Sequence, residues 1–352
     1  MSRVDTDPFA AVEGYLEAAG FFAGSDASVF ADVFFAYRAS DALRRGDAPA
    51  PPEPCALPLA ACRIRSRPHA ERRVGRLTVG EWTATWSPSE YADAVRAVRD
   101  SIARGDVYQV NLVQHLSAPA HGDPAALAER LAQLRPLHPE PLVGEGWAVV
   151  SASPELFLRR RGRRLETRPI KGTRPAGAAE DLQDSAKDAA EHVMIVDLER
   201  NDLSRVCEPG TVRWPELMAG RHLAGVAHLV STVTGRLRED ASLADVLRAT
   251  FPGGSITGAP KIAALDRIAE LEPVGRGASM GALGRIRPNG DFDLALTIRT
   301  FALAGGRLHL WAGGGVVWDS NPEEEIEESW VKARPLLAAV AAGEPAREPV
   351  PA

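Results

Sequence analysis

Cysteine is scarce in this 352-residue chain, which carries only Cys55, Cys62 and Cys207. An odd, scattered set cannot frame a disulfide-stapled fold and fits a reducing cytoplasm. Basic charge is not in excess either: 47 acidic residues face 41 basic ones, a formal net charge of −6. That balance speaks against a nucleic-acid binder. It also removes long-range attraction as a way to gather an anionic substrate, so any anion site has to be built locally. The opening MSRVDTDPFAAVEG lacks a basic stretch followed by an apolar one, so no signal peptide is expected. No run approaches the roughly 20 apolar residues of a membrane span. His and Cys never take zinc-ligand spacing, and no serine sits in G-x-S-x-G. GGSITGAPK (253–261) ends in Ala-Pro-Lys, so it is not a P-loop, although its loop-to-helix look suits an anion. No repeat at solenoid periods is present.

What is present is 45% apolar residues, ample for a core in one large domain or two. The first part is weakly patterned, and VEGYLEAAGFFAG and ASVFADVFFAYRASDALRRG fit helix or strand. DAPAPPEPCALP (47–58) reads as an extended connection, and 73–86 loosely as strand. Ser87, Pro88 and Glu90 form a capping-box start, Tyr91, Val95, Val98 and Ile102 an apolar face, and Gly105 a stop. VYQVNLVQHL alternates, with Gln109 and Asn111 on one face. Further helices are expected from Glu191, over SLADVLRATF, after Pro260, and over NPEEEIEESWVKARPLLAAV. HLVSTVTGRL reads as a strand begun near His228. DFDLALTIRTFALAGGRLHLWAGGGVV reads as a two-stranded unit turning at Gly305-Gly306. Strand pairs and helices without strict βαβ alternation point to α+β with antiparallel sheets. The tail 341–352 is expected to be disordered.

WAVVSASPELFLRRRGRRLETRPIKGT reads as a hairpin turning at 161–163, pairing residue i with roughly 324 − i. That register puts Glu155 near Pro169 and Lys171 near Ser153, at one open end. Lys171 lies between two prolines, with Arg168 and Arg174 three residues to either side. Its charge and setting alone favour one more surface cation. Glu325, Glu328 and Lys332 share a face of the last helix, where a solvated salt bridge worth ~0.3–0.5 kcal/mol is the bland reading. Carboxylates from separate helices, Glu191 among them, also suit Mg²⁺. Gly313, Gly314 and Gly315 follow a strand and could let backbone N–H groups approach a carboxylate, or form a plain bend. Arg299 could grip a carboxylate bidentately.

Together and in this order, YQVNL, SPELF, RPIKGTRP, EHVMIVDLERNDLSRV, GGSITGAPK, DLALTIRT and AGGGVVWDSNPEEEIEESWVKA resemble the chorismate-utilising enzymes, over about residues 87–337. The resemblance implies an anthranilate-synthase-like fold: two antiparallel sheets flanked by helices, with the site between them. It implies a shortened N-terminal segment, 1–86, packed on a catalytic domain, 87–340. By resemblance Glu191, Glu328 and Glu325 hold Mg²⁺ against the ring carboxylate of chorismate. Arg299 and the N–H groups of Gly313–Gly315 hold the enolpyruvyl carboxylate, and Lys332 adds positive charge. Gly172 and Thr173 of the P-I-x-G-T motif, His228 and Ser255 lie near the ring and its leaving group.

Two positions sort the branches of that family. Members that add water carry a base lysine where this chain has Gln109, and glutamine cannot activate water. Anthranilate synthases typically carry Ala where this chain has Lys171, which matches the aminodeoxychorismate branch. The implied chemistry is attack of neutral Lys171 on C2 with Glu155 as general acid, then ammonia at C4. Ammonia would come from a glutamine amidotransferase subunit. Anthranilate synthase and a non-catalytic chorismate-binding protein are the alternatives. RGASMG places Ser279 where the family usually has an aromatic residue. The short first part lacks the GGLVGY-like segment that helps form the tryptophan pocket and the amidotransferase surface of longer members.

Overall fold

The computed structural model describes residues 7–24, 26, 28–66, 74–175, 186–223 and 226–342, with 171–175, 186–190, 221–223 and 226–228 as backbone only. In chain order the strands are β1 (Val29–Phe35), β2 (Ala60–Ser66), β3 (Leu77–Val79), β4 (Thr83–Ala84), β5 (Gln109–Gly122), β6 (Leu142–Gly144), β7 (Trp147–Ser151), β8 (Leu156–Arg161), β9 (Arg164–Arg168), β10 (Ile170–Pro175), β11 (Arg213–Leu223), β12 (Val226–Arg236), β13 (Gly258–Ala259), β14 (Ala282–Ile286), β15 (Phe292–Leu296), β16 (Thr300–Ala304) and β17 (Arg307–Val316). The helices are α1 (Pro8–Ala18), α2 (Pro88–Ala103), α3 (Pro124–Leu131), α4 (Ala186–Ser204), α5 (Leu243–Thr250), α6 (Lys261–Leu271) and α7 (Pro322–Ala341).

Two antiparallel sheets organise the described residues. One runs β10-β12-β9-β8-β15-β14-β1-β2, with β11 on β12. The other runs β13-β5-β17-β16-β7-β6, with β3 and β4 on β5. This is the expected α+β arrangement. Helix α2 begins as read: Ser87 Oγ accepts from Glu90 N–H, and Glu90 Oε2 accepts from Ser87 N–H at 2.8 Å. Tyr91, Val95 and Val98 are buried on its inner face. Helix α7 starts on Asn321, whose Oδ1 accepts from Glu323 and Glu324 N–H. Glutamates in its first turn complement the positive end of the helix. Its buried stripe is Glu325, Ser329, Ala333, Leu336 and Val340, so Glu325 occupies a core position of an otherwise apolar or small face. No helix among the described residues is long and apolar enough to cross a membrane.

Three sequence expectations need correction. The stretch 291–317 holds three strands: β15 belongs to the first sheet, and β16 and β17 to the second. The expected hairpin is β8–β9, and its Leu156↔Arg168 pair keeps the 324 sum, but a register shift follows. Beyond Arg168 the chain crosses to β12, where Lys171 pairs with Leu229 rather than with Ser153. Strand β12 is inserted between β9 and β10, a long-range pairing that hairpin arithmetic cannot anticipate. Third, Gly313–Gly315 are not a bend. They continue β17, paired with Val113, Leu112 and Asn111 of β5.

The Pro-rich connection is extended, with neither helix nor strand over 47–58. It lies along the RGASMG segment, where Gly275 N–H donates to Pro52 O at 2.8 Å and Gly277 N–H to Glu53 Oε2 at 2.9 Å. The tail 343–352 is outside the described residues.

Candidate active site

The glycines of β17 are the floor on which several predicted residues meet. A Cβ on Gly314 would stand 3.0 Å from Glu328 Oε1, 3.3 Å from Lys332 Nζ and 3.4 Å from Glu325 Oε2. A Cβ on Gly315 would overlap Gln109 Nε2 and stand 2.9 Å from Glu191 Oε1. Two neighbouring glycines therefore receive side chains from β5, α4 and α7. Glycine is required here for close approach rather than for a turn.

On this floor the polar groups bond to one another. Gln109 Nε2 donates to Glu191 Oε1 at 2.7 Å, which fixes the amide orientation and leaves the buried Gln109 Oε1 without a donor in the structure. Ser320 Oγ donates to Glu325 Oε1 at 2.6 Å. Lys332 Nζ donates to Gly313 O at 2.8 Å and pairs with Glu328 Oε1 at 2.6 Å. The ion pair of the bland reading thus exists, but it sits over the glycine floor. The donor set is all oxygen and comes from two helices, which suits a hard divalent cation. Among the described residues no three Asp, Glu, His or Cys side chains close into a complete cage. Mg²⁺ does not need one, because it takes one or two carboxylates and completes its shell with water and substrate oxygens.

A second corner lies at the start of β8. Glu155 is buried, accepts from Ser255 Oγ at 2.8 Å on Oε1, and holds Leu296 N–H with its own carbonyl at 3.0 Å. Arg299 is in reach of its charge: burial lowers the Arg299 pKa, and Glu155 works in the opposite direction. Arg299 is not on a strand, as the sequence suggested. It occupies the connection between β15 and β16 with φ 49°, a left-handed backbone rarely taken by arginine. Its carbonyl is held by Ala152 N–H at 2.9 Å.

One short segment joins the corners. Ser255 touches Glu155, Thr257 O accepts from Asn111 N–H at 2.8 Å, and β13 pairs Gly258 with Val110 and Ala259 with Gln109. The Ser255–Ala259 stretch thus runs from the Glu155 corner to the glycine floor. Behind it, fully buried Arg276 donates to Ile256 O and Asn111 O while paired with Glu272. Ser279 is buried and donates to Thr297 O at 3.2 Å.

The side chains of Lys171, Gly172, Thr173 and His228 lie outside the described residues. Their backbones place Lys171 opposite Leu229, next to His228, in the β10–β12 pair. Arg168 stands three residues before Lys171 in the sequence. It is engaged elsewhere, with Nε 2.8 Å from Glu166 Oε1.

Sequence reading passed over Glu199, which the structure buries beside this site. Its Oε1 accepts from Gly254 N–H at 3.1 Å and its Oε2 from Thr167 Oγ1 at 3.3 Å. Burial, then the nearby Asp202, pushes its pKa up to about 7. A signal was available: Glu199 continues the α4 core stripe His192, Ile195, Val196, Asp202, Leu203. A carboxylate on a core stripe is rarely idle.

Comparisons with known proteins agree with this fold. Residues 29–338 match the chorismate binding enzyme family. Anthranilate synthase component 1 of Streptomyces coelicolor is 42% identical over 322 residues, 88% of this chain and 60% of its own length. Aminodeoxychorismate synthase component 1 of Klebsiella aerogenes is 44% identical over 266 residues, 73% of this chain and 59% of its own. The chain therefore spans about three fifths of the length of these curated relatives. The crystal structure of anthranilate synthase component I from Streptococcus pneumoniae TIGR4 superimposes with a TM-score of 0.82 at 27% identity, covering 95% of this chain and 86% of that one. Two antiparallel sheets, a glycine floor receiving carboxylates from two helices, and a family match over most of the sequence converge: this chain belongs to the chorismate-binding enzymes.

Proposed function

We propose that the chain is an aminodeoxychorismate synthase component I, which replaces the C4 hydroxyl of chorismate with an amino group for p-aminobenzoate and folate synthesis. The observation that carries the reading is Gln109. Its Nε2 is committed to Glu191 at 2.7 Å, so the position where water-adding relatives carry a lysine holds no base. Ammonia, which needs no deprotonation to attack, is then the nucleophile. Lys171 in RPIKGT selects C4 over C2.

Neutral Lys171 attacks C2, the ring double bond shifts and the C4–O bond breaks. Glu155 gives its proton to the departing hydroxyl, which leaves as water. A buried carboxyl oriented by a hydroxyl suits that task. Ammonia next attacks C4, the double bond shifts back, and the C2–N bond breaks to release the lysine amine. Glu155 recovers its proton from the new ammonium, so chorismate and ammonia give aminodeoxychorismate and water. Arg299 and the N–H groups of Gly313–Gly315 hold the enolpyruvyl carboxylate, with Lys332 adding positive charge. Thr173, Gly172 and His228 border the ring. Glu191, Glu325 and Glu328 would hold Mg²⁺, whose charge offsets that of the ring carboxylate. A glutamine amidotransferase subunit supplies the ammonia, in keeping with relatives named as first components.

Anthranilate synthase is the second reading, favoured by the 42% identity over 88% of the chain. Incubation with chorismate, Mg²⁺ and ammonium separates the two. Anthranilate appears directly as a fluorescent product, whereas aminodeoxychorismate yields p-aminobenzoate only after a lyase is added. Lys171→Ala is expected to abolish the lyase-dependent product, and full retention would sink the covalent route. Intact mass of enzyme held with chorismate and no ammonia is expected to show the Lys171 adduct.

A further inference from the structure

The mechanism above leaves one buried carboxylate beside the site without a task. Glu199 reaches from α4 into the gap between two elements that the reaction uses. Its Oε1 accepts from Gly254 N–H, one residue before Ser255, and its Oε2 accepts from Thr167 Oγ1 on β9, four residues before Lys171. The contact is tight: a Cβ on Gly254 would press on Leu198 Cδ2 at 2.7 Å and on Glu199 Oε1 at 3.3 Å. Thr257 Oγ1 closes the same turn on Gly253 O at 3.0 Å. The turn Gly254–Ile256 is thus pinned at its start by Glu199, at Ile256 by Arg276, and presents Ser255 Oγ to Glu155.

We propose that Glu199 is a positioning residue for the general acid: by clamping the Gly254 turn to β9 it fixes Ser255, and through Ser255 the Glu155 carboxyl. The proposal rests on the reading of Glu155 as general acid. The hydrogen bonds of Glu199 run to the turn and to β9. Its cost is a carboxylate buried beside Asp202, whose own partner is Lys261. An apolar residue would fill the space more cheaply, but would leave Gly254 N–H and Thr167 Oγ1 without these acceptors.

The test is chorismate consumption by Glu199→Ala, Glu199→Gln, Ser255→Ala and the Glu199→Ala/Ser255→Ala double variant, with hydrogen exchange at the amides of 254–257. Glu199→Ala is expected to lower kcat about 10- to 100-fold, with KM for chorismate within about threefold, as misplacement of a reacting group does. Glu199→Gln keeps an acceptor for Gly254 N–H and is expected to stay within about threefold of the parent. The double variant should be no slower than Ser255→Ala alone, because both act through one contact. Exchange at 254–257 should rise in Glu199→Ala and not in Glu199→Gln. Thr167→Val, which removes the second anchor with little change of shape, should give a smaller loss in kcat and serves if Glu199→Ala fails to fold. Multiplying losses in the double variant, or parental kcat and exchange in Glu199→Ala, overturn the proposal. If the parent enzyme consumes no chorismate with ammonium or with an amidotransferase, the amination reading fails. The exchange data then decide the clamp by themselves.

Discussion

Two groups of carboxylates differ in their partners. On the outer part of the first sheet, Asp293 is held by Arg159, Arg161 and Arg287 at 2.7 to 2.9 Å. Burial acts to raise its pKa, but the three guanidinium hydrogen bonds outweigh that and hold it down at about 2. Buried Asp32 likewise binds Arg65 and Arg285. Near the site the carboxylates include hydroxyls and amides among their contacts: Glu155 has Ser255, Glu199 has Thr167 and Gly254, Glu325 has Ser320, and Glu191 has Gln109. An arginine fork locks a carboxylate in its charged form. A neutral donor orients it without adding a positive charge. Arginine forks thus mark carboxylates that hold the sheet, while Glu155 and Glu199 count neutral donors among their contacts.

The largest break in that contrast is expected from exchanging the two kinds. Glu155→Gln should lower kcat by about 10²- to 10⁴-fold with a small change in KM, because the proposed proton donor is gone. Asp293→Asn should leave kcat within about twofold and lower the melting temperature instead, because it removes a charge that three arginines depend on. Steady-state kinetics and thermal melts on both variants check this, and a catalytic loss in Asp293→Asn comparable to that in Glu155→Gln would dissolve the distinction.

Next in size is the glycine floor. Gly315→Ala would drive a methyl into Gln109 Nε2 and against Glu191 Oε1. A loss of about 10- to 100-fold in kcat/KM is expected, since the proposed metal-holding Glu191 is displaced. The Mg²⁺ concentration for half-maximal rate should rise with it. Gly162→Ala is the control, since it sits in the β8–β9 turn where a Cβ has open space and only the left-handed φ of 54° opposes it. It should cost stability and not rate.

Much of this site could be read from the order of motifs, and the reasons for the exceptions are physical. The capping box of α2, the α7 carboxylates and the alternation of Gln109 and Asn111 are local patterns, and local physics fixes them. The insertion of β12 between β9 and β10, the left-handed Arg299 and the continuation of β17 through three glycines depend on distant partners. No window of sequence contains those. Glu199 was hidden for another reason: inside a charged run, DLERNDL, a buried glutamate looks like its exposed neighbours.

The pH dependence of stability sharpens the contrast further, because Asp293 and Glu199 act with opposite sign. Asp293 has a folded pKa below its unfolded value of 3.8, so its contribution is present above about pH 4 and is lost as pH falls toward 2. Glu199 has a folded pKa near 7 against an unfolded 4.5, so the folded chain holds a proton that the unfolded chain gives up. Stability therefore falls as pH rises from about 4.5 to 7, by a penalty on the order of 3 kcal/mol. Denaturant melts should show Glu199→Gln gaining on the parent at pH 8 and matching it more closely near pH 4.5. Asp293→Asn should lose most at neutral pH and converge with the parent in acid.

The smallest effect is expected where a charge pair stands between the two classes. Glu328 and Lys332 form an i, i+4 ion pair at 2.6 Å, yet their side chains are 50% and 37% exposed. Water screens such a pair, so Lys332→Met should change stability by no more than about 0.5 kcal/mol. Lys332 Nζ also caps Gly313 O over the glycine floor, where chorismate's carboxylates are proposed to lie. A rise in KM for chorismate of about 3- to 10-fold is therefore expected, with kcat little changed, as loss of uniform ground-state binding gives. An unchanged KM would assign Lys332 to the helix surface and place it with the structural pairs. A loss confined to kcat would mean that Lys332 acts on the transition state alone.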